Sequence, residues 1–293
     1  MFGTNEIVGQ SYFKEAKDNE LFITSAFYTL QGEGPLSGRP AFFIRLAKCN
    51  LSCHFCDAFF DDGDWYTFDQ TLDLIEKIID EYFSSKEMER PIWTRHSELN
   101  KKEMALILTG GEPTLQKNIG PFLEKMNKIF KWTQIESNGI IHQPSIPDDT
   151  MLVISPKCLE KDKIAVRYIK PNLKNLKRAD CLKFIMDADG DNPYHEIPDW
   201  ALNWQGRKEG KDIFVSPINI YNELPQKTRE ARTSGKNRLE IDERSTVEEV
   251  FSFWTPGMLN IEANQRNHEY TANYCIQHGL RFQVQAHLYA GLA

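Results

Sequence analysis

Ala41-Phe-Phe-Ile-Arg45-Leu46-Ala-Lys-Cys49-Asn-Leu-Ser-Cys53-His-Phe-Cys56 runs from an apolar strand directly into a loop bearing three thiols within eight residues. Outward from it, β-rich runs recur at Leu21–Leu30, Ala105–Leu108, Thr133–Glu136, Met151–Ile154, Cys181–Met186, Asp212–Val215 and Arg281–Gln285, most of them apolar on both faces. Between several lie stretches of helical period, clearest at Thr71–Phe83 and Gly120–Phe130, and a last helix is expected over Asn260–His278. Alternating strands and helices predict an α/β fold with a mainly parallel sheet, either a whole or partial β/α barrel or an open doubly wound sheet. In either form, functional loops follow the C-terminal ends of strands. The three-thiol loop has that placement.

The chain has 293 residues, enough for one large domain or two small ones. Neither an internal repeat nor a domain boundary is evident, so a single domain over 1–293 is expected, with its core from about 22. Polar stretches at about 84–102 and 219–245 are expected as surface insertions. A formal charge of −7 argues against a surface built to neutralise nucleic-acid phosphates and favours a small-molecule substrate. No apolar run approaches the roughly 20 residues needed to span a bilayer. The first 20 residues are too polar for a signal peptide, so a cytoplasmic protein without a membrane partner is expected. Six cysteines, three of them clustered, do not resemble a secreted disulfide framework.

Clustered thiols in a reducing compartment suggest a metal, and the spacing leaves two kinds open. Structural zinc takes four protein ligands, so Cys49, Cys53 and Cys56 would need His54 or a distant cysteine. Three thiolates on a [4Fe-4S] cluster would instead leave one iron free for a substrate or cofactor. Cys158, Cys181 and Cys275 stand alone and read as buried small hydrophobes. A second motif, Leu108-Thr109-Gly110-Gly111-Glu112-Pro113, ends an apolar strand in paired glycines and a carboxylate. Paired glycines permit close approach to a ligand, whose ammonium group Glu112 could accept; a tight strand-to-helix turn explains them equally well.

Together the two motifs resemble the radical S-adenosylmethionine superfamily, whose signature is Cys-x3-Cys-x-aromatic-Cys, with Phe55 here as the aromatic, followed by a Gly-Gly-Glu-Pro strand end. Further segments are similar to the family of 7-carboxy-7-deazaguanine synthases: Phe27–Pro35 and Gly38–Leu46, Ile135-Glu136-Ser137-Asn138-Gly139, Ser155-Pro156-Lys157, and Gln283–His287. That resemblance implies a partial β/α barrel in a homodimer and conversion of 6-carboxy-5,6,7,8-tetrahydropterin to 7-carboxy-7-deazaguanine with loss of ammonia. It implies a [4Fe-4S] cluster on Cys49, Cys53 and Cys56, and reductive cleavage of S-adenosylmethionine (SAM) to a radical that takes hydrogen from C6 of the pterin. The electron would come from a donor such as flavodoxin or ferredoxin.

Carried onto matching positions, the family's roles place Phe55, Asp57, Gly110, Gly111, Glu112, Ser155, Pro156 and Lys157 at SAM, and Leu30, Gln31, Gly32, Arg45, Thr109, Glu136 and His287 at the pterin. Two positions depart from the pattern. Ala58 stands where the family has a threonine that binds Mg2+ beside the substrate, so Mg2+ is expected to matter less here; Leu288 follows His287 where a lysine is usual. Each residue also has a bland reading: Arg45 as a paired surface charge, Lys157 as an exposed lysine, His287 as a satisfied core histidine, and Asp57, Asp61, Asp62 and Asp64 as solvated loop acids. Two other functions share some of these features, a glycyl-radical-enzyme activase and, without catalysis, a zinc-binding module.

Overall fold

The structure, a computed structural model, describes residues 6–53, 55–56, 60–97, 100–162, 164–220 and 260–286. His54, Asp57, Ala58, His287 and most of the stretch expected as the second insertion lie outside the described residues. In chain order the elements are β1 (Glu20–Leu30), β2 (Pro40–Leu46), β3 (Asp64–Thr67), α1 (Phe68–Ser85), β4 (Lys102–Gly110), α2 (Ile119–Met126), β5 (Phe130–Ser137) and β6 (Met151–Ile154). They continue with β7 (Cys158–Lys161), β8 (Ile164–Tyr168), α3 (Leu173–Arg178), β9 (Cys181–Met186), α4 (Asp199–Leu202), α5 (Gln205–Lys208), β10 (Ile213–Pro217), α6 (Ile261–His278) and β11 (Arg281–Phe282).

Nine strands form one sheet in the order β11-β10-β9-β6-β5-β4-β2-β1-β3, and β7 and β8 form a separate hairpin. From β2 to β11 all pairs are parallel, while β1 lies antiparallel to both β2 and β3. The order from β2 to β11 never reverses. Crossovers between parallel strands are right-handed as a rule, so an order without reversal puts the connecting helices on one side of the sheet and curls it toward a barrel; a doubly wound sheet needs a reversal. The edge strands β3 and β11 do not pair with each other, so the barrel is partial.

Strand alternation then separates two faces. Ile44, Leu46, Leu106, Leu108, Ile135, Leu152, Ile154, Leu182, Phe184 and Val215 join the main core with Ile75 and Ile79 of α1, Phe122 and Leu123 of α2, Leu176 of α3 and Cys275 of α6. The opposite, concave face is lined at one end by small apolar clusters, Ala41, Ala105, Ile107, Phe43 and Trp132 among them. Toward the C-terminal strand ends the same face turns polar. Among the described residues no helix is long and apolar enough to cross a membrane.

Several local expectations shift. The helix read to Phe130 stops at Met126, because Phe130 opens β5 opposite Lys102 of β4. The terminal strand is only Arg281–Phe282. β3 and the β7–β8 hairpin gave no usable pattern, since each is five residues or fewer and exists through pairing. In α1 a capping box between Thr67 and Gln70 sets the start. The polar stretch after it is fastened back onto α1: Arg90 pairs with Glu76 at 2.6 Å and Asp80 at 2.9 Å, and the buried Lys102 pairs with Glu76 at 2.6 Å.

Candidate active site

A cavity of about 270 Å³ opens at the C-terminal ends of the strands. Arg45, Thr109, Glu136, Ser155, Lys183 and Ser216 reach it from six strands or strand ends, and the three-thiol loop closes one side. Within the parallel register Arg45 of β2 sits beside Thr109 of β4, both on the concave face. This is where a βα architecture gathers side chains distant in sequence.

The cysteine loop is tied down by backbone bonds and by the glycine motif. Lys48 N–H donates to Phe60 O at 2.6 Å, and Val8 N–H to Cys49 O at 2.8 Å. Gly111 N–H donates to Leu46 O and Glu112 N–H to Lys48 O, each at 2.8 Å. Gly110 has φ +110°, and a Cβ on it would sit 2.4 Å from Leu46 N; on Gly111 it would sit 1.9 Å from Lys48 O. The close approach these glycines permit is thus to the chain's own cysteine loop. Gly111→Ala should cost about 3 kcal/mol, since rigid backbone must move, and should lower iron uptake on anaerobic reconstitution. Gly190→Ala, where an added Cβ meets nothing within 4 Å, serves as the comparison. Equal melting temperatures and iron contents for the two variants would refute this packing role.

Cys49, Cys53 and Cys56 all line the cavity, and none is in a disulfide. Burial, reinforced by the charge of Glu112, holds the Cys49 thiol far above its usual range, and burial pushes Cys53 up to about 11. Thiols raised in this way, Cys49 and Cys53, lose their protons only against a strong cationic centre, and with Cys56 beside them the three soft donors fit an iron–sulfur cluster. Among the described residues no three His, Cys, Asp or Glu side chains converge closely enough to grip one bare ion.

Glu112 is fully enclosed. Its Oε1 accepts from Thr114 N–H at 3.0 Å, Thr114 Oγ1 at 2.5 Å and Ser137 Oγ at 2.8 Å, and its Oε2 accepts from Asn138 N–H at 2.8 Å. Burial raises its pKa and these donors counter the rise. Oε2 thus accepts one hydrogen bond against three at Oε1 among the described residues, while Asn138 Nδ2 reaches on to Asn50 Oδ1 in the cysteine loop at 2.7 Å. Lys157 donates to Ser155 O at 2.9 Å and Ser155 Oγ at 2.5 Å, and burial lowers its pKa. No carboxylate pairs with it among the described residues, and its side chain stands at the cavity wall.

On the other side lies a network that sequence reading missed. Lys183 Nζ sits 2.6 Å from Glu136 Oε2 and 3.1 Å from Glu33 Oε2. Burial opposes its charge, but Glu136 and Glu33 prevail and raise its pKa above the ordinary lysine range. Gln31 Nε2 and Gln134 Nε2 donate to Glu136 Oε1 at 3.2 and 3.0 Å, and Ser216 Oγ donates to Glu33 Oε1 at 2.7 Å. A lysine inside the apolar run Cys181-Leu-Lys-Phe-Ile-Met186 was the available signal for Lys183; only the concave face could explain it.

Arg45 has no hydrogen-bond or ion-pair partner among the described residues. Its guanidinium lies 5.0 Å from the ring centre of Phe27, which stacks on Phe43 at 5.2 Å. Nearby, the buried Thr29 Oγ1, also on the cavity wall, has no hydrogen-bond partner among the described residues. Of the other sequence candidates, Leu30, Gln31, Phe55 and Thr109 line the cavity. Gly32 and Pro156 do not, although Gly32 O accepts from Ala286 N–H at 3.3 Å and so holds the chain just before His287. Asp57 and His287 are outside the described residues, as is Ala58, so neither their sites nor a Mg2+ position is described.

A 7-carboxy-7-deazaguanine synthase of Rhodospirillum rubrum is 32% identical to this chain over 227 residues, 74% of this chain and 82% of the relative. The chain belongs to the 7-carboxy-7-deazaguanine synthase family. A synthase of the same name from Methanospirillum hungatei is 29% identical over 71% of this chain and 77% of its own. Among solved structures, QueE from Escherichia coli matches with a TM-score of 0.52 at 17% identity, covering 96% of this chain and 99% of the other, which supports the shared partial-barrel fold. No family model matches. Membership in this synthase family sets aside the activase and zinc-module readings.

Proposed function

We propose that this chain is a lyase that converts 6-carboxy-5,6,7,8-tetrahydropterin to 7-carboxy-7-deazaguanine and ammonia within a single domain. The observation that carries the reading is Arg45: a half-buried guanidinium without an acidic partner among the described residues, facing a cavity that the three-thiol loop also borders. Cys49, Cys53 and Cys56 would hold a [4Fe-4S] cluster with SAM beside it, and these groups would supply the one-electron chemistry for hydrogen-atom removal.

The chain's own side chains bind, orient and enclose. Arg45 offers two parallel N–H donors to the substrate carboxylate, the geometry a carboxylate accepts best. Phe27 and Phe43 form an apolar wall beside a flat ring, and Thr29, Thr109, Leu30 and Gln31 complete that side. Glu136 and Glu33 face the cavity as acceptors for the amino and ring N–H groups of the pterin, while Lys183 keeps the pair charge-compensated. Lys157 and Ser155 answer the carboxylate of SAM, and the remaining lone pair of Glu112 answers its ammonium group, beside Gly110, Gly111 and Phe55. Asp57, Pro156, Gly32 and His287 keep their family roles as part of the proposal. Holding the reacting carbon in place and excluding water is the protein's share of the rate.

The test is anaerobic turnover of the carboxypterin with SAM and a reductant, followed by mass and ultraviolet absorbance of the product. Formation of 7-carboxy-7-deazaguanine with one equivalent of ammonia is expected; SAM cleavage with the pterin recovered unchanged would reject the substrate. Arg45→Ala should weaken pterin binding by about 1.5–3 kcal/mol while leaving SAM cleavage without substrate intact. Unchanged pterin affinity would move the carboxylate site elsewhere.

A further inference from the structure

The β7–β8 hairpin leaves the sheet directly after Lys157 and is outward-facing. Its inner side is buried: Cys158 and Ala165 pack with Tyr194, and Tyr194 Oη accepts from Cys158 N–H at 2.8 Å. Its outer side exposes Leu159, Ile164 and Val166, at 43%, 69% and 51%. Nowhere else among the described residues do three exposed large apolar side chains fall within eight residues. Contiguous exposed apolar surface marks a contact site more often than single scattered residues do.

Charge surrounds this patch. In a chain of net −7, the segment from Lys157 to Arg178 has eight basic and two acidic residues. Lys161, Arg167, Lys170, Lys174 and Lys177 are exposed, and none has a carboxylate partner among the described residues. Elsewhere exposed cations are spread singly along the chain, some paired with acids, as Lys77 and Lys131 are, and others, Lys14, Lys101 and Lys208 among them, without an acidic partner among the described residues. An apolar centre with a rim of unpaired positive charge suits a small acidic protein that must arrive quickly and leave again.

Position indicates which acidic protein. Phe55, between two cysteines of the loop, meets Tyr194 edge-on at 5.0 Å, and Tyr194 meets Tyr168 of β8 at 5.3 Å. The Cys53 thiol is also within electrostatic reach of Lys157, Glu160 and Cys158. The hairpin is thus two ring contacts from the loop that would hold the cluster, with its outer face open. A second copy of this chain fits less well, because an isologous contact would set the unpaired cations of one patch against those of the other.

We propose that the outer face of the β7–β8 hairpin docks a small acidic one-electron carrier, with Leu159, Ile164 and Val166 at the centre and Lys161, Arg167 and Lys170 at the rim. One electron leaves the reduced carrier, which is oxidised by one equivalent, and enters through the loop at Phe55. This rests on the radical SAM reading above and adds the partner's place. Weak electron-transfer contacts are small, below about 1,200 Å², a size a single hairpin and its flank can supply.

The probe is an acidic flavodoxin, with sodium dithionite as a small reductant that needs no docking site. In Lys161→Glu/Arg167→Glu and Ile164→Ser/Val166→Ser, flavodoxin affinity for the reconstituted protein should fall about tenfold, and in the charge variant its salt dependence should also flatten. SAM cleavage should fall equally with reduced flavodoxin and stay unchanged with dithionite. Unaltered flavodoxin affinity in both variants would overturn the proposal, as would equal losses with the two reductants. Conversion of a dimer to a monomer with flavodoxin affinity retained would assign the patch to a second copy and overturn it too. Failure of the proposed reaction itself would show separately, as no pterin turnover by the natural protein with dithionite, and would leave the binding comparison to decide the docking face.

Discussion

Cys49→Ala, Cys53→Ala and Cys56→Ala should each abolish iron loading and turnover, whereas Cys158→Ala, Cys181→Ala and Cys275→Ala should retain iron. The first three share one cavity wall; Cys181 lies on β9 in a small apolar cluster and Cys275 is in α6 within the main core. Cys158 is the demanding case, because its charge would be felt at Cys53. It is nevertheless buried against Ala165 and Tyr194 on the inner side of the hairpin and does not line the cavity. Removing a buried sulfur costs stability, about 1–2 kcal/mol, without removing a ligand. Iron and sulfide analysis with the 400 nm region of the absorption spectrum makes the comparison, and loss of iron from Cys158→Ala would make it a fourth ligand.

Lys183→Met should be among the most damaging single changes outside the cysteines. It leaves Glu33 and Glu136 facing one another across a largely buried site with no cation between them, and breaking a buried pair from one side costs about 3–5 kcal/mol. Because the folded-state pKa of Lys183 is raised, its stabilisation is fully present below the unfolded lysine value of about 10.4 and is lost only as pH rises through the folded value. In the natural protein this contribution should therefore be constant across neutral pH. Lys183→Met/Glu33→Gln/Glu136→Gln separates stability from recognition: it should recover most of the melting temperature and none of the pterin affinity. Recovery of both would reduce the network to scaffolding, and a Lys183→Met melting temperature equal to that of the natural protein would refute the charge compensation.

Local chemistry in the chain was enough to reveal the three-thiol loop, the Gly-Gly-Glu-Pro strand end and the alternation of strands with helices. Each depends on neighbours within about ten residues, by spacing, by glycine's conformational range or by periodicity. Arg45, Thr109, Gln31 and Glu136 were legible through segments similar to a known family, although nothing local told a free Arg45 from a paired one. Tertiary structure decided what depends on distant partners. The unreversed strand order selected a partial barrel over a doubly wound sheet, because crossover direction belongs to pairs of strands and not to either alone. Gly110 and Gly111 gained their purpose from the backbone of Leu46–Lys48, some 60 residues earlier in the chain. Lys183 looked like an anomaly in an apolar strand until folding brought Glu33, 150 residues away, and Glu136 to its ammonium group. Compensation of a buried charge is a sum over everything that surrounds it, and that sum exists only once the sheet has closed around the cavity.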